Sequence, residues 1–552
     1  MDILWKQIKL RTIKMSWRNK LDIFEDKMKN FYSFIEKQFY FTVIILFFMT
    51  LGIRLFLTPY HQVLREDAYI YVMKGIEISR GNFTPSLTHA IGLSFFLAPF
   101  FKLFGSDSIF QNMLYARIIS VIVGSLSIFP LALICKKLLG RTKALLVLIF
   151  FCFSNELIIS AYSVYTEPLF MLLLLLTVLF ILKSTENRNW ILASSLCGAI
   201  SFSVRTNGLF FLPIILLSIF LIRKQIPSFS YFYFIYTVLI FTALISPFAY
   251  QRYVCFGSPF YYGENSKIFV DDSDKVWSSN IPIPSYKDYI SQHTFADFIE
   301  KFIVRGFLKS LTGFLNVISP FIIPFTIYGI FAFFKDKHFV PLLVLLILWH
   351  ISLTPGYAVF SSSRYFIPVL PIALIFGTAA MYKISEKISY ANTLLSGLIC
   401  LFIIFSLFRP VRLWRLYQIG DEKYEWAKWA AENLRGKLAI IEGGDLVMMH
   451  LSDTVVGGVG MMDIYAPQSG LSIVRPGYFD DLKPAMDWLR QIGATHIALD
   501  EINIERRPYL RQLLTDSGAQ PYLKRVYSNY EELTQWKIRI YKIVWDKYDN
   551  IP

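Results

Sequence analysis

The sequence of 552 residues is poor in charge, with Asp, Glu, Lys and Arg making up 17% of it. A soluble globular chain carries about 25%. Beside a hydrophobic fraction of 55%, so little charge excludes an ordinary soluble enzyme, and the hydrophobic content excludes intrinsic disorder. Cysteine is scarce as well. The five present (Cys135, Cys152, Cys197, Cys255, Cys400) are scattered, with no CxxC pair and no metal-ligand spacing. That argues against a disulfide framework and against a zinc ribbon. No internal repeat and no low-complexity linker is visible. The first apolar run, 39–57, has no small-residue cleavage site behind it, so it reads as a retained span rather than a signal peptide. Alternating segments of about ten residues, the mark of a membrane β-barrel, are also missing.

Continuous apolar runs are what the chain has instead. After 39–57 they lie near 113–134, 144–160, 166–182, 190–204, 207–222, 229–249, 314–334, 339–354, 365–382 and 389–408. A bilayer crossing needs about 20 apolar residues. The fold class expected is therefore an α-helical polytopic membrane protein of about eleven transmembrane helices.

Basic clusters set the orientation. Lys136-Lys137, Arg223-Lys224, Lys335-Asp336-Lys337 and Lys383 follow even-numbered runs, which makes those loops cytoplasmic. Residues 1–38 are then a cytoplasmic segment, and the C-terminus lies outside. The formal net charge is +15, and the N-terminal segment with the five cytoplasmic loops holds +13 of it. The basic balance is thus a membrane-orientation signature and gives no support to a nucleic-acid partner. Two long external loops result, 58–112 and 251–312. The apolar stretch 90–104 in the first is short for a span and reads as lying along the membrane surface. Residues 39–409 form the membrane domain. Beyond it the pattern changes to helix-like 422–434, strand-like 437–442, helix-like 483–492, strand-like 496–500, helix-like 505–515, and strand-like 521–527 and 536–545. Such alternation predicts an extracytoplasmic α/β domain over 410–552.

The residues with chemical potential cluster at the outer ends of the runs. The segment Glu66-Asp67-Ala68-Tyr69-Ile70-Tyr71-Val72-Met73-Lys74 opens the first external loop. As a helix it places Asp67, Tyr71 and Lys74 on one face. Glu66 and Asp67 point about 100° apart and do not work as a pair on one substrate atom. An acid facing a lipid–water pocket has a raised pKa and suits a general base. A solvated loop acid beside a span accounts for the same residues. Glu167-Pro168 fits the first turn of a descending helix, where a capping role alone accounts for the acid. Arg205, in Val204-Arg205-Thr206-Asn207-Gly208, and Arg364, in Ser363-Arg364-Tyr365, stand at outer span ends. Arginine binds phosphate through its planar fork, and it is equally an ordinary snorkelling anchor.

In their order these segments resemble the GT-C class of membrane glycosyltransferases. The likeness is to the branch shared by dolichyl-phosphate-mannose protein mannosyltransferases and the lipid A aminoarabinose transferase. Glu66-Asp67-Ala68-Tyr69, His89-Ala90-Ile91-Gly92-Leu93, Thr166-Glu167-Pro168-Leu169-Phe170 and Ser363-Arg364-Tyr365-Phe366-Ile367-Pro368 carry it, and it covers most of 39–380. Arg205-Thr206-Asn207-Gly208-Leu209 is similar to the family's Thr-Arg-Pro-x-Gly-type segment, shifted in detail. The family's Asp-Glu pair is reversed here as Glu66-Asp67, and its His-Pro-Pro reads His89-Ala90-Ile91.

The resemblance implies a multi-pass enzyme of the cell membrane. It would move a sugar from a polyprenyl-phosphate-linked donor to a hydroxyl of a protein, lipid or glycan acceptor, with inversion. It implies Asp67 as the catalytic acid of the first external loop, with Glu66 beside it and Glu167 facing the same cleft. It implies Arg205, Arg364 and Lys74 as phosphate ligands, and His89, Tyr71 and Tyr365 as substrate contacts. Members of the class differ in their need for a divalent metal such as Mg or Mn, and no clear ligand cluster is present in the sequence. A transporter or flippase is the alternative class. It predicts repeated halves and ionisable residues at mid-span, whereas the charges here sit at span ends.

Overall fold

The computed structural model describes residues 36–60, 62, 64, 66–83, 85–86, 89–106, 109–260, 265–271, 284–359, 362–388, 390–417, 429–430, 433–440, 454–456, 471–474, 479, 481–500, 510, 513, 520–529 and 537–550. Helices dominate: α1 (Phe39–Phe56), α2 (Glu66–Ser79), α3 (Gly92–Phe104), α4 (Ile109–Leu126), α5 (Ile128–Leu139), α6 (Arg141–Phe153), α7 (Asn155–Tyr162), α8 (Glu167–Lys183) and α9 (Trp190–Val204). There follow α10 (Phe211–Ile222), α11 (Phe232–Phe256), α12 (Gly306–Val317), α13 (Ile323–Ala332), α14 (Val340–Tyr357), α15 (Leu370–Ser385) and α16 (Ala391–Tyr417). The chain is a multi-pass membrane protein.

Each of the eleven apolar runs is helical, but they are not eleven equal crossings. Seven described helices are long and apolar enough to span alone, and the bent pair α6–α7, kinked by 52°, makes an eighth. The run 314–334 is broken between Val317 and Ile323. α3, α9 and α13 are apolar but short. α3 covers the stretch expected along the membrane surface. It packs on α2, where Ser94 Oγ donates to the Tyr71 carbonyl at 2.9 Å, and on α9.

What separates inside from outside in this bundle is the size of side chains more than their polarity. Lipid is as apolar as Leu, so α1, α11 and α16 leave Phe41, Phe48, Phe232, Leu239, Ile404 and Phe408 exposed at no cost. Small residues mark the tight contacts. A Cβ on Gly329 of α13 would lie 2.2 Å from the Phe376 carbonyl oxygen of α15, and one on Gly306 would lie 2.2 Å from the Thr354 carbonyl oxygen of α14. Mid-span His350 pairs with Ser310, Nδ1 to Oγ at 2.9 Å, which ties α14 to α12.

The C-terminal domain carries a six-stranded sheet of β1 (Gly436–Ile440), β2 (Thr454–Val456), β3 (Leu471–Val474), β4 (His496–Asp500), β5 (Leu523–Ser528) and β6 (Ile538–Ile543), ordered β2-β3-β1-β4-β6-β5. The first four strands in that order are parallel, and β6 runs antiparallel to both β4 and β5. Helix α17 (Leu482–Gln491), capped by Asp481, buries Leu482, Ala485, Met486 and Leu489 with Ala439, Ile497 and Leu499 of the sheet. β1, β4, β5, β6 and α17 coincide with elements read from the sequence pattern. β2 and β3 were not expected. The helix-like stretches 422–434 and 505–515 fall largely outside the described residues. α16 continues past Arg409 to Tyr417, so helix extends beyond the composition change.

Gly329→Ala should destabilise the bundle by about 1–3 kcal/mol, because the added methyl meets backbone that has no room to move. Gly52→Ala is the control, since its Cβ meets nothing within 4 Å. A lowered thermal midpoint in detergent for the first variant alone is the expected result.

Candidate active site

Seven of the nine residues singled out from the sequence line one cavity of about 260 Å³: Asp67, Tyr71, His89, Glu167, Arg205, Arg364 and Tyr365. They come from helix ends. Asp67 and Tyr71 lie in the first turns of α2, and Glu167 opens α8 with Pro168 behind it. Arg205 is the extended C-cap of α9 (φ −149°, ψ 137°), and Arg364 stands in the 3₁₀ turn Ser363–Val369 ahead of α15.

Local sequence accounts for these placements. After Arg205 the chain turns tightly, with the Gly208 N–H donating to the Arg205 carbonyl at 2.8 Å. A Cβ on Gly208 would stand 2.4 Å from the Phe202 nitrogen, and one on Gly92 would stand 2.4 Å from the Ser203 carbonyl. Both glycines therefore let backbone press on the end of α9 that carries Arg205. Between α7 and α8, buried Val164 sits in the left-handed region (φ 59°), a costly state for a β-branched residue. That turn delivers Tyr165, Thr166 and Glu167 to the cavity. The Arg364–Tyr365 turn is held by Trp349, whose indole N–H donates to the Tyr365 carbonyl at 3.1 Å, and by the Tyr357 hydroxyl, which donates to the Ser362 carbonyl.

The charged side chains alternate in sign. His89 Nε2 lies 3.1 Å from Asp67 Oδ1, and Arg364 Nη2 donates to Asp67 Oδ2. Arg364 Nε is 4.0 Å from Glu167 Oε1, to which Arg205 Nη1 donates at 2.7 Å. The Tyr365 ring lies between the cations, 4.8 Å from the Arg205 guanidinium carbon and 5.6 Å from that of Arg364, with Tyr165 4.9 Å beneath Arg364. Such contacts hold two guanidiniums close at reduced repulsion.

Burial alone pushes the Asp67 carboxyl up, as expected of an acid in a pocket. The Arg364 charge and the His89 hydrogen bond outweigh it, and the net position is well below the ordinary carboxylate range. The expected raised pKa is thus corrected: Asp67 is a firmly ionised carboxylate in this arrangement. Tyr71 moves the other way, pushed well up by its burial and then by Asp67.

A family model described as dolichyl-phosphate-mannose-protein mannosyltransferase matches residues 88–250. The chain is similar to the archaeal oligosaccharyltransferase AglB from Archaeoglobus fulgidus in complex with an inhibitory peptide and a dolichol-phosphate. The two are 12% identical over 94% of this chain and 75% of that one, with a TM-score of 0.54. The chain has the GT-C fold. Its likeness to the same oligosaccharyltransferase tethered with an acceptor peptide is 13% identity over 93% and 75% of the chains, TM-score 0.52. For ArnT from Cupriavidus metallidurans bound to undecaprenyl phosphate the figures are 10%, 91%, 97% and 0.48. No curated protein sequence matches the chain. Within this GT-C frame the matched stretch 88–250 contains His89, Glu167 and Arg205, while Asp67 and Arg364 lie outside it.

The remaining two candidates are placed differently. Lys74, one turn beyond Tyr71, is not among the cavity-lining residues; its Nζ pairs with Glu77 Oε2 at 2.6 Å. Glu66 begins α2, and its side chain lies outside the described residues. Lining residues that sequence reasoning passed over include Tyr165, Asn207, Ile268 and Tyr357. Tyr165 adjoins one marked motif and Asn207 lies within another. Ile268 carried no local signal. It is placed by Lys301, whose Nζ donates to the Val270 carbonyl at 3.1 Å and to Asp271 Oδ1 at 3.0 Å.

A divalent metal finds no ligand set here. Among the described residues no group of three His, Cys, Asp or Glu side chains is placed to hold one. Both carboxylates already carry guanidinium partners. The described residues of the cavity offer Mg or Mn no ligand set, and the chemistry proposed below uses neither.

Arg364→Gln removes the largest charge opposing burial at Asp67, so the carboxyl pKa should rise. In the wild type the ion pair adds stability that is complete above the ordinary carboxylate value of about 4 and lost as pH falls through the depressed one. Infrared titration of the carboxyl band should show Asp67, identified by its loss in Asp67→Asn, ionised to lower pH in the wild type than in Arg364→Gln.

Proposed function

We propose that this protein is an inverting glycosyltransferase that moves a sugar from a polyprenyl-phosphate donor to an acceptor hydroxyl of a protein, lipid or glycan. The observation that carries the reading is the cavity in which two acids, Asp67 and Glu167, and two arginines, Arg205 and Arg364, converge from segments nearly 300 residues apart in sequence. The matched family model names dolichyl-phosphate-mannose, and the AglB structure of the same fold is a complex with dolichol-phosphate.

In the proposed step Asp67 takes the proton of the acceptor hydroxyl. The acceptor oxygen forms its bond to the anomeric carbon as the bond from that carbon to the phosphate oxygen breaks. The electron pair leaves with the phosphate, whose growing charge Arg364 and Arg205 neutralise. Preorganised cations at that point cost no reorganisation during the reaction, and holding both substrates in one cleft supplies proximity. A carboxylate bound to Arg364 is a weak base. The donor phosphate draws on the same guanidinium, and its arrival therefore makes Asp67 more basic when the acceptor needs it. Glu167 holds Arg205 in place, and His89 orients Asp67.

On this reading the cavity faces the extracytoplasmic side of the cell membrane, and residues 1–38 are cytoplasmic. The division at about residue 410 separates the membrane domain from an extracytoplasmic α/β domain, and the loops 58–112 and 251–312 frame the cleft. Lys74 and Glu66 are proposed as supporting residues close to the site.

Two measurements test this. Asp67→Asn should lower transfer of labelled sugar from polyprenyl-phosphate donors, in membranes that express the protein, by about 10²-fold or more, the scale of a lost general base. Transfer at the wild-type rate removes Asp67 from the mechanism. A reporter fused after Pro552 should be active only outside the cytoplasm, and a cytoplasmic readout would contradict the assigned side.

A further inference from the structure

Glu167 has one oxygen too many for its protein partners. Its side chain is 2% exposed and lines the cavity. Oε1 accepts from Arg205 at 2.7 Å, with Arg364 Nε 4.0 Å away. Oε2 is buried and accepts nothing from any described residue. Asp67 differs, because both its oxygens are engaged, one beside His89 and one by Arg364. Buried polar atoms in native structures are nearly always hydrogen-bonded, and a carboxylate is acceptor-only. A ligand that reaches Oε2 therefore has to bring a hydrogen-bond donor. A phosphate oxygen cannot fill that role, since it would set two anions together.

The geometry points to Glu167 Oε2 as the acceptor for a hydroxyl of the sugar still attached to the donor phosphate, which makes Glu167 a residue that selects the donor sugar. This rests on the donor reading above and deepens it. The argument for the donor over the acceptor is position. The two oxygens belong to one carboxylate, and Oε1 accepts from Arg205, a guanidinium proposed for the phosphate, with Arg364 4.0 Å away. The group beside a phosphate so held is the sugar ring bonded to it. The acceptor hydroxyl has to approach Asp67 instead. Glu167 would thus read phosphate through Arg205 and sugar through Oε2, and bare lipid phosphate satisfies only the first. A site built around such a hydroxyl rejects an analogue lacking it, because the carboxylate oxygen stays buried and unpaired.

The test uses the full chain in nanodiscs. The probes are undecaprenyl phosphate, its mannosyl, glucosyl, galactosyl and arabinosyl forms, and the monodeoxy derivatives of the tightest of these. The readout is affinity relative to bare undecaprenyl phosphate, so that any effect on phosphate binding cancels. In the wild type one monodeoxy form should lose at least ~10-fold of the sugar-dependent gain, while the others lose little. In Glu167→Gln, which keeps an oxygen for Arg205 and replaces Oε2 by an amide, that same deoxy form and its parent should bind within ~3-fold of each other. Undiminished discrimination in Glu167→Gln overturns the inference and leaves Oε2 to solvent or to the acceptor. If that variant binds no lipid, the wild-type deoxy series still decides: no single hydroxyl whose loss costs more than ~3-fold also overturns it. A wild-type protein that binds none of these lipids removes the donor reading itself.

Discussion

The site depends on a row of alternating charges, Asp67–Arg364–Glu167–Arg205, with His89 beside Asp67 at one end, closed off from most solvent. Any one of these groups buried alone would carry a large desolvation cost, and removing one strands its neighbour. Together they neutralise one another at formal balance between two carboxylates and two guanidiniums. That balance is also what makes the row responsive. A phosphate that enters adds one more negative charge, and the arginines can meet it only by loosening their hold on the carboxylates. Ground-state pairing and the proposed chemistry thus use the same atoms.

Holding such a row requires backbone to be pinned from several directions. Gly92 and Gly208 bring two segments against the end of α9, and Val164 accepts a strained backbone so that Glu167 can open α8 toward the cavity. Trp349 and Tyr357 bind the carbonyls around Arg364. On the far side, Lys301 ties 265–271 to the helix around it, which sets Ile268 against the cavity. The alternation of charge is therefore a property of the packing, and the packing spends strain and close approach to secure it.

Much of this was legible beforehand. The apolar runs are helical, though unequal in length and broken in places, because backbone in lipid has no other way to satisfy its hydrogen bonds. The strands at 436–440, 496–500, 523–528 and 538–543 follow their β-rich patterns. Less legible were the breaks. The 52° bend falls at Ser154-Asn155-Glu156, a polar interruption within the run 144–160, and β2 and β3 are too short to stand out from their surroundings. The pairing of Lys74 with Glu77 was visible in principle, since three residues is the spacing of helix neighbours. The raised pKa expected of Asp67 considered burial without His89 and Arg364, which lie 22 and 297 residues away along the chain.

Composition and hydropathy by themselves determined the class of molecule: many helices in a membrane, basic clusters after alternate apolar runs, and an α/β pattern behind them. Those follow from solvent preference, which acts on each segment independently. The acids and arginines were also marked one by one, each beside a plain alternative such as a cap or a snorkelling anchor. Only the tertiary structure decided that Asp67, Glu167, Arg205 and Arg364 touch in one row, that Lys74 pairs elsewhere, and that one oxygen of Glu167 is left over. Contacts of that kind depend on how distant helices cross, and no single stretch of sequence encodes a crossing.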